Sequence, residues 1–173
     1  MNTFFTSDTH FGHNNIIEYC KRPYTSVEEM DAALEKNWNE VVKPDDLVYH
    51  LGDFAFHNYE IIDRLNGRII LIPGNHDHER GTKVKSRVHR VTAEVHYLKI
   101  VKERRFVLCH YPFESWRREY KFHLHGHTHG TAGVKNNRLD VGVDATKIMA
   151  PMHLDDVMQR MVVNNLWAME MNK

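Results

Sequence analysis

Five short polar clusters in the chain consist of residue types that bind metal ions, and each follows a segment with the composition of a β-strand. The clusters are Asp8-Thr9-His10, Gly52-Asp53, Gly74-Asn75-His76-Asp77, His110 and Gly126-His127-Thr128-His129. Imidazole, carboxylate and carboxamide groups all serve as ligands for divalent cations. Together they offer enough ligands for two cations and leave one histidine for proton transfer or charge stabilisation. This inventory indicates a dinuclear metal hydrolase.

The overall composition is that of a globular protein with one anomaly, its histidine content. Of the 173 residues, 42% are hydrophobic and 27% are charged, and 23 lysines and arginines balance 23 aspartates and glutamates. A net charge of zero provides no global field that would attract DNA, a membrane surface or an acidic polymer. The 14 histidines are concentrated in and beside the five clusters, which fits metal binding because histidine is the commonest metal ligand.

The two cysteines and the hydropathy pattern indicate the compartment. Cys20 and Cys109 are too few for a disulfide framework, so we expect free thiols in a reducing environment. No apolar run approaches the roughly 18 residues that a membrane helix needs. The first predicted strand starts at Asn2, so no signal peptide is expected. We therefore expect a cytoplasmic protein without membrane association.

Predicted strands and helices alternate in the first half of the chain, and the clusters lie at the ends of the strands. A capping box at Ser26 and Glu29 starts an amphipathic helix that ends near Val42. Strands are predicted at Asn2–Ser7, Leu47–Leu51, Arg68–Ile72, Glu94–Val101, Arg105–Cys109, Lys121–His125, Arg138–Val143 and Val162–Met169, and further helices at Tyr59–Leu65 and His153–Met161. This alternation predicts one α/β domain over residues 1–173, with a partly parallel sheet. Because ligands of open α/β sheets gather beyond the carboxyl ends of strands, the clusters should converge on one rim.

The clusters, in this order, resemble the full signature of the calcineurin-like metallophosphoesterase superfamily. The resemblance runs from about Thr3 to Asp144, and the chain is similar to the small single-domain prokaryotic and phage members. It implies an α/β sandwich of two mixed β-sheets flanked by helices. It also implies a metal site at the carboxyl-terminal rim of the strands.

The resemblance further implies a role for each residue of the clusters. One ion is expected to bind Asp8, His10, Asp53 and His129, and the other to bind Asp53, Asn75, His110 and His127. Asp53 suits the bridging position because its two oxygen atoms can each contact one cation and its charge reduces their repulsion. His76 is the catalytic histidine, which binds phosphate and stabilises the transition state or protonates the leaving oxygen. Asp77 is expected to assist catalysis by orienting a neighbouring imidazole.

The implied cofactors are two divalent metal ions. Nitrogen and oxygen ligands without thiolate suit Mn²⁺, Fe, Co²⁺, Ni²⁺ or Zn²⁺, and Mn²⁺ is our first expectation. With neutral histidines, the carboxylates of Asp8 and Asp53 and a bridging hydroxide would leave the core at roughly +1, which attracts an anionic phosphate. The implied reaction is attack of that hydroxide on the phosphorus of a phosphoester.

Four residues outside the clusters are candidate substrate ligands, and each has a structural alternative. His13 either contacts the substrate phosphate or starts a helix, and Arg22 either clamps phosphate or lies on the surface. Trp116 and Arg117 follow His110 in an aromatic and basic loop, where they could stack a nucleobase and bind phosphate. In the alternative, Phe113 and Trp116 pin this loop to the core.

These residues are compatible with three functions. The first is hydrolysis of a small phosphomonoester or phosphodiester, with a nucleotide-type diester preferred because Trp116 and nearby arginines suit a base and its phosphates. The second is a non-catalytic metal-binding scaffold, which the presence of His76 and every ligand disfavours. The third is a nuclease, for which a basic stretch is the only support: Arg80, Lys83, Lys85, Arg87 and Arg90. Zero net charge makes nucleic acid the less favoured substrate, and the oligomeric state stays open.

Overall fold

A five-stranded sheet carries three of the five polar clusters. The structure, a computed structural model, describes residues 1–80, 87–100, 104–133, 135 and 137–171, without the side chains of residues 78–80 and 164–171. The strands are β1 (Thr3–Thr6), β2 (Leu47–His50), β3 (Arg68–Leu71), β4 (Arg90–Val91) and β9 (Met152–His153), in the order β4-β3-β2-β1-β9. Strands β1 to β4 are parallel, whereas β9 runs antiparallel to β1.

A four-stranded sheet carries the other two clusters. Its strands are β5 (Val95–Ile100), β6 (Arg104–Cys109), β7 (Phe122–His125) and β8 (Arg138–Asp140), in that order. Strand β5 is antiparallel to β6, and β6, β7 and β8 are parallel to one another. A parallel bridge between Ser7 and Gly142 joins the end of β1 to the segment that follows β8. The carboxyl ends of strands from both sheets therefore meet at one junction.

The sheets enclose two hydrophobic cores, and β1 contributes to both. Phe4 packs in the core that contains Trp38, whereas Phe5 packs in the core that contains Phe106 and Leu124. This division follows from the strand geometry, because successive side chains point to opposite faces. Since β1 is covered on both faces, the loop that follows it starts from a fixed position.

Five α-helices and one 3-10 helix cover the sheets in the described part of the chain. They are α1 (Asn15–Tyr19), α2 (Val27–Val41), the 3-10 helix (Tyr59–Arg64), α3 (Asn75–Arg80), α4 (Val143–Thr146) and α5 (Leu154–Met171). The hydroxyl of Ser26 caps α2 by accepting the N–H of Glu29 at 3.2 Å, as the capping box predicts. Met30, Leu34 and Trp38 form the buried face of α2 at helical spacing. None of the described helices is long and apolar enough to cross a membrane.

The predicted fold class is confirmed, while two element predictions are wrong in part or whole. The two sheets are both mixed and flanked by helices. The predicted strand Arg138–Val143 ends at Asp140, after which α4 begins. The predicted strand Val162–Met169 is helical, because α5 continues through it from a face anchored by buried Val157 and Met161. Elements α1, α3, β4 and β9 have no counterpart among the predicted elements.

Candidate metal centre

The five polar clusters lie at the carboxyl ends of strands that have parallel neighbours. Asp8 follows β1, Asp53 follows β2, Asn75 follows β3, His110 follows β6 and His127 follows β7. The junction of the two sheets brings these loops together, although they are distant in sequence. The backbone N–H of His127, for example, donates to both carboxylate oxygens of Asp8, at 3.1 and 3.0 Å. The clusters therefore form one centre.

The loops of this centre adopt backbone conformations that residues with a side chain rarely adopt. Asp8, His10, Asp53, His127 and His129 have φ angles between 47° and 67°. Each left-handed conformation costs about 1 kcal/mol or more, and such residues persist where the surroundings stabilise them. Here the N–H of Asp8 donates to the Gly52 carbonyl and the N–H of His10 to the Asp53 carbonyl, each at 3.0 Å. The loops after β1 and β2 therefore hold each other in place.

Two glycines allow the loops to approach the carboxylates closely. A Cβ atom at Gly74 would lie 2.4 Å from Oδ1 of Asp53, and one at Gly126 would lie 2.3 Å from Oδ2 of Asp8. Both distances are far below van der Waals contact, so only glycine fits at either position. These glycines thus set how tightly the ligand loops can pack.

Four ligand atoms converge at His110. Its Nε2 lies 3.0 Å from Oδ1 of Asn75, 3.4 Å from Oδ2 of Asp53 and 3.2 Å from Nδ1 of His127. Because Nδ1 of His110 donates to the Leu51 carbonyl at 2.8 Å, Nε2 presents either a lone pair or a proton to the other three atoms. Lone pairs that converge in this way need a proton or a cation between them. We refer to this space as the Asn75 pocket.

A second group of ligand atoms also lies near Asp53. The ligand atoms of Asp8, His10 and His129 lie within 4.8 Å of one another, and Nε2 of His10 lies 3.6 Å from Oδ2 of Asp53. This nitrogen is buried and has no hydrogen-bond partner among the described residues. An unsatisfied buried polar atom costs about 1–3 kcal/mol, which coordination to a cation would remove. We refer to this group as the Asp8 pocket.

The electrostatics of the centre favour positive ions. Burial raises the pKa of Asp8 to about 7 despite nearby histidines that lower it. Burial also acts to raise the pKa of Asp53, but the hydrogen bond and charge of His110 outweigh it and hold that pKa far below its usual range. Burial lowers the pKa values of His10 and His127, which keeps both rings neutral. The buried carboxylates and the neutral rings of His10 and His127 form a donor set whose negative charge divalent cations would compensate.

Asp144, which is absent from the predicted site residues, lies directly behind His129. Its Oδ2 accepts from Nδ1 of His129 at 2.7 Å and from Nη2 of Arg22 at 2.8 Å, and its Oδ1 accepts from Nε of Arg22 at 2.9 Å. Burial acts to raise the pKa of Asp144, but these bonds outweigh it and lower that pKa to about 2. Burial likewise disfavours a charged His129, yet the bond to Asp144 raises its pKa to about 10. The signal in the sequence is the place of Asp144 shortly after a strand, like the clusters themselves.

The prediction that Arg22 clamps a substrate phosphate is wrong, and so is its surface alternative. Arg22 is 4% exposed. Its guanidinium also donates to the carbonyl oxygens of Asp8 at 2.7 Å and Thr9 at 2.9 Å. The bidentate pair with Asp144 turns this group into the protein, where it holds the loop after β1.

Asp77 has a different role from the predicted one. Its buried carboxylate accepts three backbone N–H groups, from Asp53 at 2.7 Å, Gly74 at 2.9 Å and Phe54 at 3.2 Å. These bonds tie the loop after β2 to the loop after β3. Asp77 therefore positions Asp53 and does not orient an imidazole, because its oxygen atoms are directed at the backbone.

His76 and His13 border the exposed side of the centre. The side chain of His76 is 41% exposed, and its Nε2 lies 3.9 Å from Oδ2 of Asp53. The ring of His13 lies edge-on to those of His10 and His76, with centroids 5.5 and 6.5 Å away. Nδ1 of His13 also accepts the N–H of Ile16 at 3.2 Å, at the start of α1. His13 thus starts a helix and also faces the centre, and its contact with a substrate phosphate stays a prediction.

Trp116 and Arg117 make their described contacts away from the predicted ligands. The indole N–H of Trp116 donates to the Tyr120 carbonyl at 2.7 Å, and its ring packs 5.2 Å from that of His123. The guanidinium of Arg117 lies over the ring of Tyr97, 5.4 Å from its centroid. These contacts pin the loop to the second sheet, as the structural alternative predicts. Substrate binding by Trp116 and Arg117 stays a prediction.

Two aromatic residues that are absent from the predicted site residues border the centre instead. Tyr111 is 39% exposed, and its ring lies 4.8 Å from that of His127. Phe56 is partly exposed and packs 5.7 Å from His76. Both follow a ligand loop directly in sequence, and that proximity is the signal that indicates them.

The basic stretch behind the nuclease alternative is described only in part. Arg87 forms ion pairs with Asp63 and Glu60, and Arg90 lies on β4. Lys83, Lys85 and the side chain of Arg80 lie outside the described residues. Arg87 of this stretch is thus paired with acidic side chains.

Comparison with known proteins identifies the family. The model of the calcineurin-like phosphoesterase superfamily domain matches residues 1–144. The chain belongs to the calcineurin-like phosphoesterase superfamily. The resemblance predicted from the five clusters is therefore confirmed, and the matched region of this superfamily member contains every predicted ligand together with Asp144.

Individual relatives extend this similarity. An uncharacterized protein of Methanocaldococcus jannaschii is 41% identical over 133 residues, which cover 73% of this chain and 68% of the relative. The gene 66 protein of Mycobacterium phage L5 is 30% identical over 181 residues, which cover 83% of this chain and 87% of the phage protein. The crystal structure of a protein of unknown function from Aquifex aeolicus is similar at a TM-score of 0.73 and 24% identity, covering 91% of this chain and 98% of that chain. This last similarity supports the calcineurin-like fold.

Proposed function

We propose that this superfamily member is a phosphoesterase that hydrolyses small phosphoesters with two divalent cations bound in the Asp8 and Asn75 pockets. The observation that carries the proposal is the contact of one Asp53 oxygen with ligand atoms of both pockets. Its Oδ2 lies 3.6 Å from Nε2 of His10 in the Asp8 pocket and 3.4 Å from Nε2 of His110 in the Asn75 pocket. One carboxylate oxygen within reach of both sets of donors is what a shared ligand of two ions requires.

The residues of both pockets fit borderline divalent ions. The donors are imidazole nitrogens, carboxylate oxygens and the carboxamide oxygen of Asn75, a set that suits Mn²⁺, Fe, Co²⁺, Ni²⁺ and Zn²⁺. The unsatisfied Nε2 of His10 and the lone pairs around Nε2 of His110 both point into these pockets. We expect Mn²⁺ first, because the two carboxylates add hard oxygen ligands to the imidazoles.

The chain's own residues divide the catalytic work. When bound, the ions polarise phosphoryl oxygens and lower the pKa of a coordinated water. The backbone N–H of His76 donates to Oδ1 of Asp53 at 3.0 Å, which fixes the backbone from which the exposed imidazole projects. The imidazole of His76 can donate a hydrogen bond to a phosphoryl oxygen or a proton to the leaving oxygen. Asp77 contributes by holding Asp53 through backbone bonds.

The surroundings of the centre support a small ester with an organic group. Tyr111 and Phe56 present aromatic surface beside the centre, and such rings can stack on a nucleobase or another flat group. Because Arg22 is buried and Arg117 lies over Tyr97, the phosphate would be held by the ions and His76 rather than by these two arginines. A nucleotide-type diester therefore remains our preferred substrate.

Metal analysis followed by an ester panel tests this proposal. Purified protein is expected to contain about two ions per chain after incubation with Mn²⁺, and to hydrolyse p-nitrophenyl phosphate, its bis-ester, or both. His76→Ala should lower kcat by roughly 10²–10⁴-fold, the usual contribution of a general acid, with unchanged metal content. His89→Ala, at an exposed histidine, is the matched control and should leave kcat unchanged.

Three results would contradict the proposal. Two bound ions without hydrolysis of either ester would favour the scaffold. Unaltered hydrolysis in His76→Ala would remove the catalytic role of that imidazole. Salt-sensitive cleavage of DNA or RNA without hydrolysis of small esters would favour the nuclease.

A further inference from the structure

A series of buried polar contacts lies beneath the Asp8 pocket, away from the exposed side of the centre. It runs from Arg22 through Asp144 to His129, and Arg22 and Asp144 are 4% and 2% exposed. Oδ2 of Asp144 is shared between Nη2 of Arg22 at 2.8 Å and Nδ1 of His129 at 2.7 Å. The reaction proposed above does not explain why a buried ion pair should be maintained at this place.

We propose that Asp144, fixed by Arg22, is a positioning residue that controls ion binding in the Asp8 pocket alone. The inference rests on the proposed two-metal centre. Asp144 accepts the proton of Nδ1, so an ion binds at Nε2 of His129 and displaces any proton there. It also stops rotation of the ring, whose centroid lies 5.4 Å from that of the ligand His10 in a stacked arrangement.

The support of the Asn75 pocket is of a different kind. There, Nδ1 of His110 donates to a backbone carbonyl, that of Leu51, at 2.8 Å. A carboxylate makes an imidazole a stronger electron donor than a carbonyl does, since it carries a full charge. The loss of Asp144 should therefore affect one pocket and leave the other unchanged.

Arg22 connects this support to the ligand loop itself. The same guanidinium that holds Asp144 donates to the carbonyl oxygens of Asp8 and Thr9, in the segment where Asp8 has a left-handed backbone. Arg22 and Asp144 are separated by 122 residues, so the pair also ties the first ligand loop to the segment after β8. Arg22 thus fixes two of the ligands of one ion at once.

A third metal site at this position is a less suitable interpretation. Cys20, His129 and Asp144 also place ligand atoms within 4.8 Å of one another. Both carboxylate oxygens of Asp144 already accept hydrogen bonds from Arg22, however, and one also accepts from His129. A cation would have to displace the guanidinium, so we assign Asp144 to support of His129.

Mn²⁺ titration of the metal-free full-length chain tests the inference. The wild type should bind two ions, and Asp144→Asn should bind one ion with unchanged affinity and the other about 10–100-fold more weakly. Arg22→Lys, which keeps the charge but loses the bidentate contact, should weaken the same ion by a smaller factor. Asp46→Asn is the matched control, because Asp46 is a buried carboxylate just before β2 that accepts backbone N–H groups of Asn2 and Lys43.

Combined variants show which pocket is affected. Added to His127→Ala, Asp144→Asn should lower the Mn²⁺ affinity of the ion that remains in the Asp8 pocket. Added to His10→Ala, it should change the Mn²⁺ affinity little, because the ion of the Asp8 pocket is then already lost. Equal weakening of both ions by Asp144→Asn, or no weakening in a folded protein, would overturn the inference.

The Nδ1 proton of His129 provides a second readout that needs no bound metal and no stable variant. Long-range ¹⁵N–¹H NMR spectra of the wild type should show a proton on Nδ1 of His129 in a hydrogen bond to a carboxylate, whether or not Nε2 is also protonated. A ring protonated on Nε2 alone would overturn the inference. If the wild type binds no Mn²⁺ at all, the proposed function fails. The spectrum would still show whether the hydrogen bond between His129 and Asp144, on which the inference is built, is present.

Discussion

The Asp8 pocket and the Asn75 pocket share Asp53, yet they differ in burial, charge and support. In the Asp8 pocket, Asp8 and His10 are buried and His129 is backed by an ion pair. In the Asn75 pocket, His110 is buried, Asn75 is partly exposed and His127 is exposed. The first pocket therefore resembles a permanent binding site, and the second is open to exchange with solvent.

Under the proposed function, this difference lets one centre combine firm ion binding with access for a substrate. The charged ligand Asp8 belongs to the closed pocket, whereas the neutral amide Asn75 belongs to the open one. The closed pocket is tied to the protein through Arg22 and Asp144. The open pocket lies beside the exposed ring of Tyr111. Experiments that damage both pockets, or only one, can separate these contributions.

Asp53→Asn should have the largest effect, because it damages both pockets at once. The amide lacks the carboxylate charge and presents at most one neutral oxygen to the two cations, so both ions should be lost or weakened. Activity on an aryl phosphate ester should fall by roughly 10³-fold or more, since a two-metal site supplies several kcal/mol of stabilisation. Metal content and kcat measure the effect. Asp155→Asn, at an exposed carboxylate, is the control, and retention of two ions in Asp53→Asn would contradict the bridging role.

Asp77→Ala should weaken both pockets through the fold. It leaves three buried backbone N–H groups without their acceptor, which should lower the free energy of unfolding of the metal-free protein by about 2–4 kcal/mol. His76→Ala, one residue away and exposed, should leave this free energy nearly unchanged. Urea unfolding measures both. A stable Asp77→Ala variant with normal metal binding would show that Asp53 is held by other contacts.

Chelation should separate the two pockets in time. With excess chelator, the wild type is expected to lose Mn²⁺ in two phases that differ by about tenfold or more, because the Asn75 pocket is the more exposed. His127→Ala should remove the fast phase and His10→Ala the slow one. Stopped-flow detection of released Mn²⁺ follows both phases. If His10→Ala removed the fast phase, the assignment of the closed and open pockets would be reversed.

Mild acid should destabilise the support of the Asn75 pocket through His123. Nδ1 of His123 bonds to the Val107 carbonyl, and its Nε2 accepts the N–H of Phe113, in the loop after His110. Burial lowers the pKa of His123 from 6.5 to about 4. Because the unfolded chain then binds the extra proton, stability falls as pH drops from about 6.5 to about 4, by up to about 1.4 kcal/mol per pH unit.

His123→Gln tests this pH dependence. The variant lacks the titrating group, so its free energy of unfolding should fall less steeply with acid than that of the wild type over the same window. Contributions from the other histidines are common to both proteins and cancel in the difference. Parallel pH profiles of the two proteins would exclude His123 as the source.

The fold was predictable where one local pattern determines one element. Ser26 caps α2 as its motif indicates, and each ligand cluster follows a strand because its apolar run and its polar stop are adjacent in sequence. The prediction failed at Val162–Met169, where β-branched residues favour a strand by propensity. There, the buried residues Val157 and Met161 anchor the preceding turn of α5, and the helix continues from it. Tertiary packing thus overrides a weak local preference for a strand.

The predicted ligands were accessible to sequence reasoning, whereas their support was not. Asp8, Asp53 and Asn75 are recognisable because residue type and strand-end position coincide. Arg22 and Asp144 are 122 residues apart, and nothing local indicates that the guanidinium turns inward. The motif predicts an imidazole as the partner of Asp77, because the sequence alone does not show that backbone N–H groups of the loop after β2 lie within reach of its carboxylate.

Anomalous diffraction from crystals grown with Mn²⁺ would locate the bound ions themselves. Two peaks per chain are expected, roughly 3.5–4 Å apart, one on each side of the Asp53 carboxylate. The first should be adjacent to His10 and His129, and the second adjacent to His110 and His127. A single peak, or peaks remote from Asp53, would contradict the two-metal centre.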